Sequence, residues 1–290
     1  MDDLRGRPDK RQVRRSFERA SGHYDDFAVL QREVRQRLLQ RLDPLRLTPQ
    51  RIVDLGCGTG YSVVALGERY PDARIHAVDI APGMLQQARK RLGWWQRRKR
   101  RHDFVCADAE ALPFADASCD LLFSSLTFQW CNDLAGLFAE CRRVLRPGGL
   151  LLFSSFGEST LHELRASWQA VDGHSHVNRF DDLHAIGNAL QSSGLRDVVT
   201  DIDRFTLTYP DAKAVMRDLK GIGAHNVTAD RPRGLTTPRR LARVVAAYEG
   251  LRTEAGLPAS YEVVYGHAWR LEAKAEAVGG ESAAVIAWHR

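Results

Sequence analysis

An apolar run that ends in three alternate glycines constrains this chain most: Arg51-Ile-Val-Asp-Leu-Gly-Cys-Gly-Thr-Gly60, followed from Tyr61 by a helix-forming segment. Glycines at 56, 58 and 60 let a strand turn sharply into a helix and leave no Cβ to hold a ligand off the backbone. The dinucleotide-binding form of such a loop reads G-x-G-x-x-G and cradles a pyrophosphate. Here the spacing is G-x-G-x-G, and Asp54 stands two residues ahead of the first glycine. A carboxylate there repels a pyrophosphate and suits a cationic ligand.

The partners of this loop follow in order. Arg74-Ile-His-Ala-Val-Asp79 is a second apolar strand ending in an acid, where doubly wound sheets place an acceptor for ribose hydroxyls. Asp79 also precedes Pro82 and a helix, so a capping role is compatible with it. A third strand begins at His102 and leads to Asp108 and Ala109, and Cys119–Ser125 is a fourth. Val144-Leu-Arg-Pro-Gly-Gly reads as a helix end and a turn into a fifth strand reaching Ser154. Strands alternating with helices predict an α/β, doubly wound parallel sheet with ligand-binding residues outside its carboxyl edge. Asp197–Leu207 and Tyr261–Trp269 read as sixth and seventh strands, for a Rossmann-like sheet of seven.

More than 50 residues part the last two strands, with helical patterns at Asp211–Gly221 and Thr237–Ala255. A long insertion with its own helices is more often functional than accidental, and it reads as a substrate cap. The expected organisation is an N-terminal helical segment over 1–48 covering the ligand site and a nucleotide-binding core over 49–209. The cap follows over 210–258, then the last strand with a tail over 259–290. In the N-terminal segment Phe17, Ala20 and Tyr24 recur at i, i+3 and i+7, one helical face. That face either packs on the sheet or brings Tyr24 over the ligand.

Composition excludes several classes. No run of 18 apolar residues offers a membrane span, and the first residues, Met-Asp-Asp-Leu-Arg-Gly-Arg, lack the apolar stretch of a secretion signal. Five cysteines without a CxxC pair argue for a reducing cytoplasmic setting, against disulfides and against a zinc cluster. His174 and His176 lack a third ligand, so no metal is expected. The formal charge of +6 is conspicuous in Arg97-Arg-Lys-Arg-Arg101, either a solvated loop or a docking patch for an acidic partner.

The strand-borne motifs together resemble the class I S-adenosylmethionine (SAM) methyltransferases. Four further stretches resemble the malonyl-acyl-carrier-protein O-methyltransferases of biotin synthesis: Phe17-Glu-Arg-Ala through Tyr24, Phe156–Leu164, Asp218–Asn226 and Tyr261–Trp269. Ser21 departs from the pattern, standing where a second alanine is expected. The resemblance covers about residues 9–270 and implies SAM as cofactor. Gly56, Cys57, Gly58 and Gly60 would then shape the loop around its methionine and ribose portions, with Asp54 or its neighbouring backbone at the amino end of the methionine. Asp79 would take the ribose hydroxyls beside Ile80, and Met84 would pack on the adenine. Asp108 would accept from the adenine amine with Ala109 on the ring. Ser124 and Leu126, through their backbone, and Gln129 would line the methionine pocket under Tyr24.

The implied reaction methylates the free carboxylate of a malonyl thioester, on acyl carrier protein (ACP) or coenzyme A. Such a carboxylate is ionised at neutral pH, so no general base is needed. Catalysis then rests on aligning its oxygen with the methyl group and excluding water. The candidates for positioning the substrate are Tyr24, Gln129, His176, Asn178, Lys220 and His225, with Trp130, Arg179, Arg204 and Asn226 behind them. A methyltransferase acting on a quinone precursor or a free carboxylic acid is the nearer rival. A nucleic-acid methyltransferase is the more distant one: the loop Ser124-Ser-Leu-Thr-Phe-Gln-Trp130 lacks the Asn/Asp-Pro-Pro-aromatic signature of amino-directed base enzymes. No nucleic acid and no membrane are therefore expected as partners.

Overall fold

The computed structural model describes residues 8–99, 101–224, 226 and 237–271. The chain opens with three helices, α1 (Lys10–Ala20), α2 (Tyr24–Phe27) and α3 (Val29–Gln40). Asp9 starts α1 by accepting from the backbone amides of Arg11 and Gln12, groups that have no partner within the helix. Then come β1 (Arg51–Leu55), α4 (Tyr61–Arg69), β2 (Arg74–Asp79), α5 (Pro82–Arg91), α6 (Trp94–Lys99), β3 (His102–Cys106) and β4 (Cys119–Ser125). A short 3₁₀ turn (Phe128–Trp130) leads to α7 (Leu134–Val144), β5 (Leu145–Phe156), α8 (His162–Gln169), α9 (Leu183–Ser192) and β6 (Arg196–Tyr209). Last are α10 (Ala212–Gly221), α11 (Pro238–Glu249) and β7 (Leu257–Arg270). None of the described helices is long and apolar enough to cross a membrane.

The seven strands form one sheet in the order β3-β2-β1-β4-β5-β7-β6. The first five are parallel, and β7 runs antiparallel to both of its neighbours. Successive strand residues alternate between faces: Ile52, Leu121, Phe123 and Leu152 join one core, while Val53, Leu55, Leu122 and Leu151 join the other. Helices α3, α4, α5, α8, α10 and α11 cover the first face; α7 and α9 cover the second. Both faces of a parallel sheet must be buried, which is why its strands read as nearly continuous apolar runs.

Four local expectations change. Helix α1 stops at Ala20, and a turn at 21–23 separates it from Tyr24, so Phe17, Ala20 and Tyr24 do not share one helical face. Gly22 lies in that turn, where a glycine loosens helical continuity. Second, Pro147-Gly148-Gly149 does not precede β5 but lies within its paired span. Cys119 pairs with Leu145 and Leu121 with Leu150, so the extra residues bulge out around Gly148 at φ 77°. Third, Asp108 lies beyond the end of β3, in a turn bridged from Asp108 to Ala111. Fourth, the second inserted helix ends at Glu249, before the expected Ala255.

Candidate functional site

The three glycines of the first loop do different work. A Cβ on Gly56 would lie 1.9 Å from the Thr127 hydroxyl, and one on Gly60 would lie 2.7 Å from the Ala88 backbone of α5. Those two allow close packing of the loop against its neighbours. Gly58, at φ 53°, has nothing within 4 Å of where a Cβ would stand, so its missing side chain leaves room for a ligand. The loop is tied to β2 by Cys57 N–H donating to the Val78 carbonyl at 2.9 Å and by Gly58 N–H donating to Asp79 Oδ2 at 3.0 Å.

Asp79 sits at the carboxyl end of β2 and also accepts from Ala81 N–H at 2.8 Å. Burial pushes its carboxyl up to about 6, against the pull of those amides. The residue opening α5 is Ala81, not Asp79, and the aspartate holds the turn ahead of it. Asp54 is 1% exposed and its Oδ2 has no hydrogen-bond partner. Burial raises it to about 8, offset in part by the Arg35 guanidinium. An orphaned buried carboxylate oxygen calls for a donor or cation, and the space at Gly58 lies in the same loop. Both observations fit SAM, whose ammonium and sulfonium are positive.

Around this loop is a cavity whose empty space, open to solvent at its mouth, is about 670 Å³. Tyr24, Gly56, Gly58, Asp79, Ile80, Met84, Asp108, Ala109 and Leu126 all line it. Leu126 has φ 53°, a conformation disfavoured for a leucine. It is held there by its N–H donating to the Ser154 carbonyl at 3.0 Å. Phe17 stands edge-on to Trp130 with ring centroids 5.3 Å apart and lies 6.5 Å from Tyr24, so three aromatic rings screen one side of the cavity. Asp25 fastens this cover by accepting from Thr59 Oγ1 at 2.7 Å and pairing with Arg91.

Asp54, Cys57, Gly60, Ser124 and Gln129 do not line this cavity. Gly60 faces α5. Ser124 is turned away to donate to the Leu55 carbonyl at 2.9 Å, and the next residue, Ser125, faces the cavity in its place. Gln129 is buried behind the wall, its Nε2 donating to the Leu126 carbonyl at 2.8 Å. The substrate candidates are likewise dispersed. His176 and Asn178 border a separate apolar cavity under the inserted helices. His176 stacks on Trp168 at 3.7 Å and is held by Asp172 at 3.0 Å, and Asp172 also takes Arg240 Nε at 2.6 Å. Lys220 is on the rim of a third groove, between α10 and the α1–α2 corner. Arg204 points to solvent beside Glu262. Arg179 is exposed, and Asn226 donates to the Ser175 carbonyl at 2.7 Å. His225 lies outside the described residues. No group of three or more His, Cys, Asp or Glu among the described residues is placed to hold a metal ion.

Lys10 was not foreseen. Its ammonium lies 2.7 Å from Asp108 and 2.5 Å from Glu110, at the cavity wall. The signal was present: Lys10, Val13 and Phe17, at i, i+3 and i+7, are the α1 residues that reach the cavity. Ala20 faces the third groove instead.

A family model described as a methyltransferase domain matches residues 53–153. The malonyl-[acyl-carrier protein] O-methyltransferase of Gallionella capsiferriformans is 49% identical over 280 residues, 96% of this chain and 96% of that one. Its counterpart from Methylovorus sp. is 51% identical over 269 residues, 92% of this chain and 90% of that one. The crystal structure of the YcgJ protein from Bacillus subtilis superposes with a TM-score of 0.57 over 82% of this chain and 100% of that one. At 16% identity that likeness bears on the fold alone. With about half of all residues identical over nine-tenths or more of both chains, this chain belongs to the malonyl-[acyl-carrier protein] O-methyltransferase family.

Proposed function

We propose that this chain methylates the free carboxylate of a malonyl group carried as a thioester on acyl carrier protein, the early ester-forming step towards the pimeloyl part of biotin. The observation that carries this reading is 49% identity to a relative of that name over 96% of this chain, a span too long to leave out the helices inserted between β6 and β7. The enzyme is SAM-dependent, and SAM when bound supplies an electrophilic methyl group on a sulfonium.

The chain's own residues then have separable tasks. Asp54, buried behind the glycine loop and outside the cavity lining, supports the ammonium end of the methionine portion through that loop's backbone. Asp79 accepts from the ribose hydroxyls, already held in place by two backbone amides. Asp108, oriented by Lys10, accepts from the adenine amine, while Ile80, Met84 and Ala109 supply apolar contact. Gln129 acts from behind the wall by fixing the Leu126 carbonyl. Tyr24, Phe17 and Trp130 exclude water. The Tyr24 hydroxyl is raised well above the usual range by burial, so it stays a neutral donor towards the malonyl carboxylate and takes no proton from it.

No group in the cavity needs to act as a base, because the nucleophile arrives as an anion. The residues bring it into line and keep the site dry. The inserted helices α10 and α11 serve as the cap over the thioester arm, with His176 bracing it and Lys220 at its outer rim. The reaction takes place in the cytoplasm, where carrier-bound malonyl groups are made. The test is methyl transfer from radiolabelled SAM to malonyl-, acetyl- and succinyl-carrier protein. Base-labile label on the malonyl species alone is the expected result. SAM binding without transfer to any malonyl thioester would overturn the substrate reading.

A further inference from the structure

Resting on that reading, we propose that the acidic carrier docks on the arginine-lined outer face of α1 and threads its thioester arm into the groove between α1 and α10. Of the conspicuous run at 97–101, the described Arg97, Arg98 and Arg101 are at the wrong end of the molecule. The run ends where β3 begins, with Ile75 N–H donating to the Arg101 carbonyl at 2.8 Å. This is the amino edge of the parallel strands, opposite the cofactor cavity. Two of its cations are also occupied: Arg97 Nη2 donates to the last carbonyls of α5, at Arg89 and Lys90, and Arg101 pairs with Asp72 at 2.9 Å.

Helix α1 carries Arg11, Arg14, Arg15 and Arg19, all exposed, and none of them is ion-paired with a described residue. Arg11, Arg15 and Arg19 are four residues apart, so they form one stripe. A helix that holds three like charges in line is weakened by their repulsion, which an anionic partner reverses. Glu18, which borders the same surface as these arginines, is tied by accepting from Gly83 N–H at 2.7 Å.

Beside the stripe opens the groove. Its floor is Ala20, Phe27, Met216 and Gly223, and its rim carries Arg19, His23, Arg217 and Lys220. A carrier's prosthetic arm begins with a phosphodiester and continues as a flexible, largely uncharged chain, which matches a cationic rim over an apolar floor. The groove ends on the α1–α2 corner: Ala20 and Phe27 face it, while Phe17 and Tyr24, from the same two helices, face the cofactor cavity. One corner of backbone therefore separates the point of entry from the point of reaction.

The experiment compares malonyl-carrier protein with the malonyl thioester of N-acetylcysteamine, which lacks both the carrier and the phosphodiester. For the variant Arg11→Glu/Arg14→Glu/Arg15→Glu, KM for the carrier substrate should rise about tenfold or more with kcat little changed. For the short thioester, kcat/KM should stay within about twofold of wild type. The comparison variant Arg97→Glu/Arg98→Glu should stay within about twofold on both substrates. An unchanged KM in the α1 variant, equal losses on both substrates, or a loss confined to the 97/98 variant would each overturn the proposal. The wild-type enzyme supplies a check free of folding defects: KM for the carrier substrate alone should climb as salt rises from about 0.05 to 0.3 M. A salt-independent KM would count against it. Absence of transfer to either thioester by wild type would instead defeat the functional reading itself.

Discussion

At the scale of single residues the first loop separates packing from binding. Replacing Gly60 by alanine drives a methyl group into the Ala88 backbone at 2.7 Å, which should cost about 1–3 kcal/mol of stability. Replacing Gly58, where space is open but φ is 53°, should cost about 1 kcal/mol and abolish most SAM binding. Thermal melts and binding isotherms of the two variants should therefore rank in opposite order. Asp54 makes a second prediction through its raised carboxyl. The folded value of about 8 lies above the ordinary 3.8, so between those limits the folded chain holds a proton that the unfolded chain has released. Stability without SAM must then fall as pH rises through that window. Asp79, raised only to about 6, leaves the upper part to Asp54. From pH 6 to 8 the loss should be on the order of 2 kcal/mol, and Asp54→Asn should flatten it in a series of melts. A slope that persists in the variant would assign it to another group.

At the scale of elements α11, the second inserted helix, is braced by one acid. Asp172, just past α8, receives His176, Arg240 from α11 and the His174 amide. Charged hydrogen bonds of this kind contribute about 1.5–3 kcal/mol each. Asp172→Ala should lower the melting temperature and kcat/KM for the thioester while leaving SAM affinity near wild type. Equal loss of both affinities would make the brace part of the cofactor site. The two inserted helices were legible because each has the 3.6-residue pattern and a cap, Asp211 on Ala214 N–H and Thr237 on Arg240 N–H. The break after Ala20 was not: Phe17, Ala20 and Tyr24 keep helical spacing across it, and periodicity reports a face, not whether the backbone is continuous along it.

For the whole molecule, α10 and α11 contribute Val215, Leu219, Val244 and Tyr248 to the same buried cluster as Ile52 of β1 and Phe123 of β4. Inserted helices that share their core with the sheet should unfold with it. Urea transitions followed by far-UV circular dichroism and by tryptophan fluorescence should coincide. Two separated transitions would give residues 210–258 a stability of their own. The sequence by itself determined the parallel sheet, its carboxyl-edge ligand loop and the residues Asp79, Met84, Asp108 and Ala109 at the cavity, because strand runs, glycine turns and their flanking acids are local patterns. Only the tertiary structure decided that Ser125 faces the cavity while Ser124 turns away, since that depends on register against β1 and β5. It also decided that Gln129 supports the wall from behind, that His176 is spent on Asp172, and that Lys10 meets Asp108 across 98 positions. Those contacts join residues far apart in the chain, and no spacing along a sequence records which of its surfaces the packed core will press together.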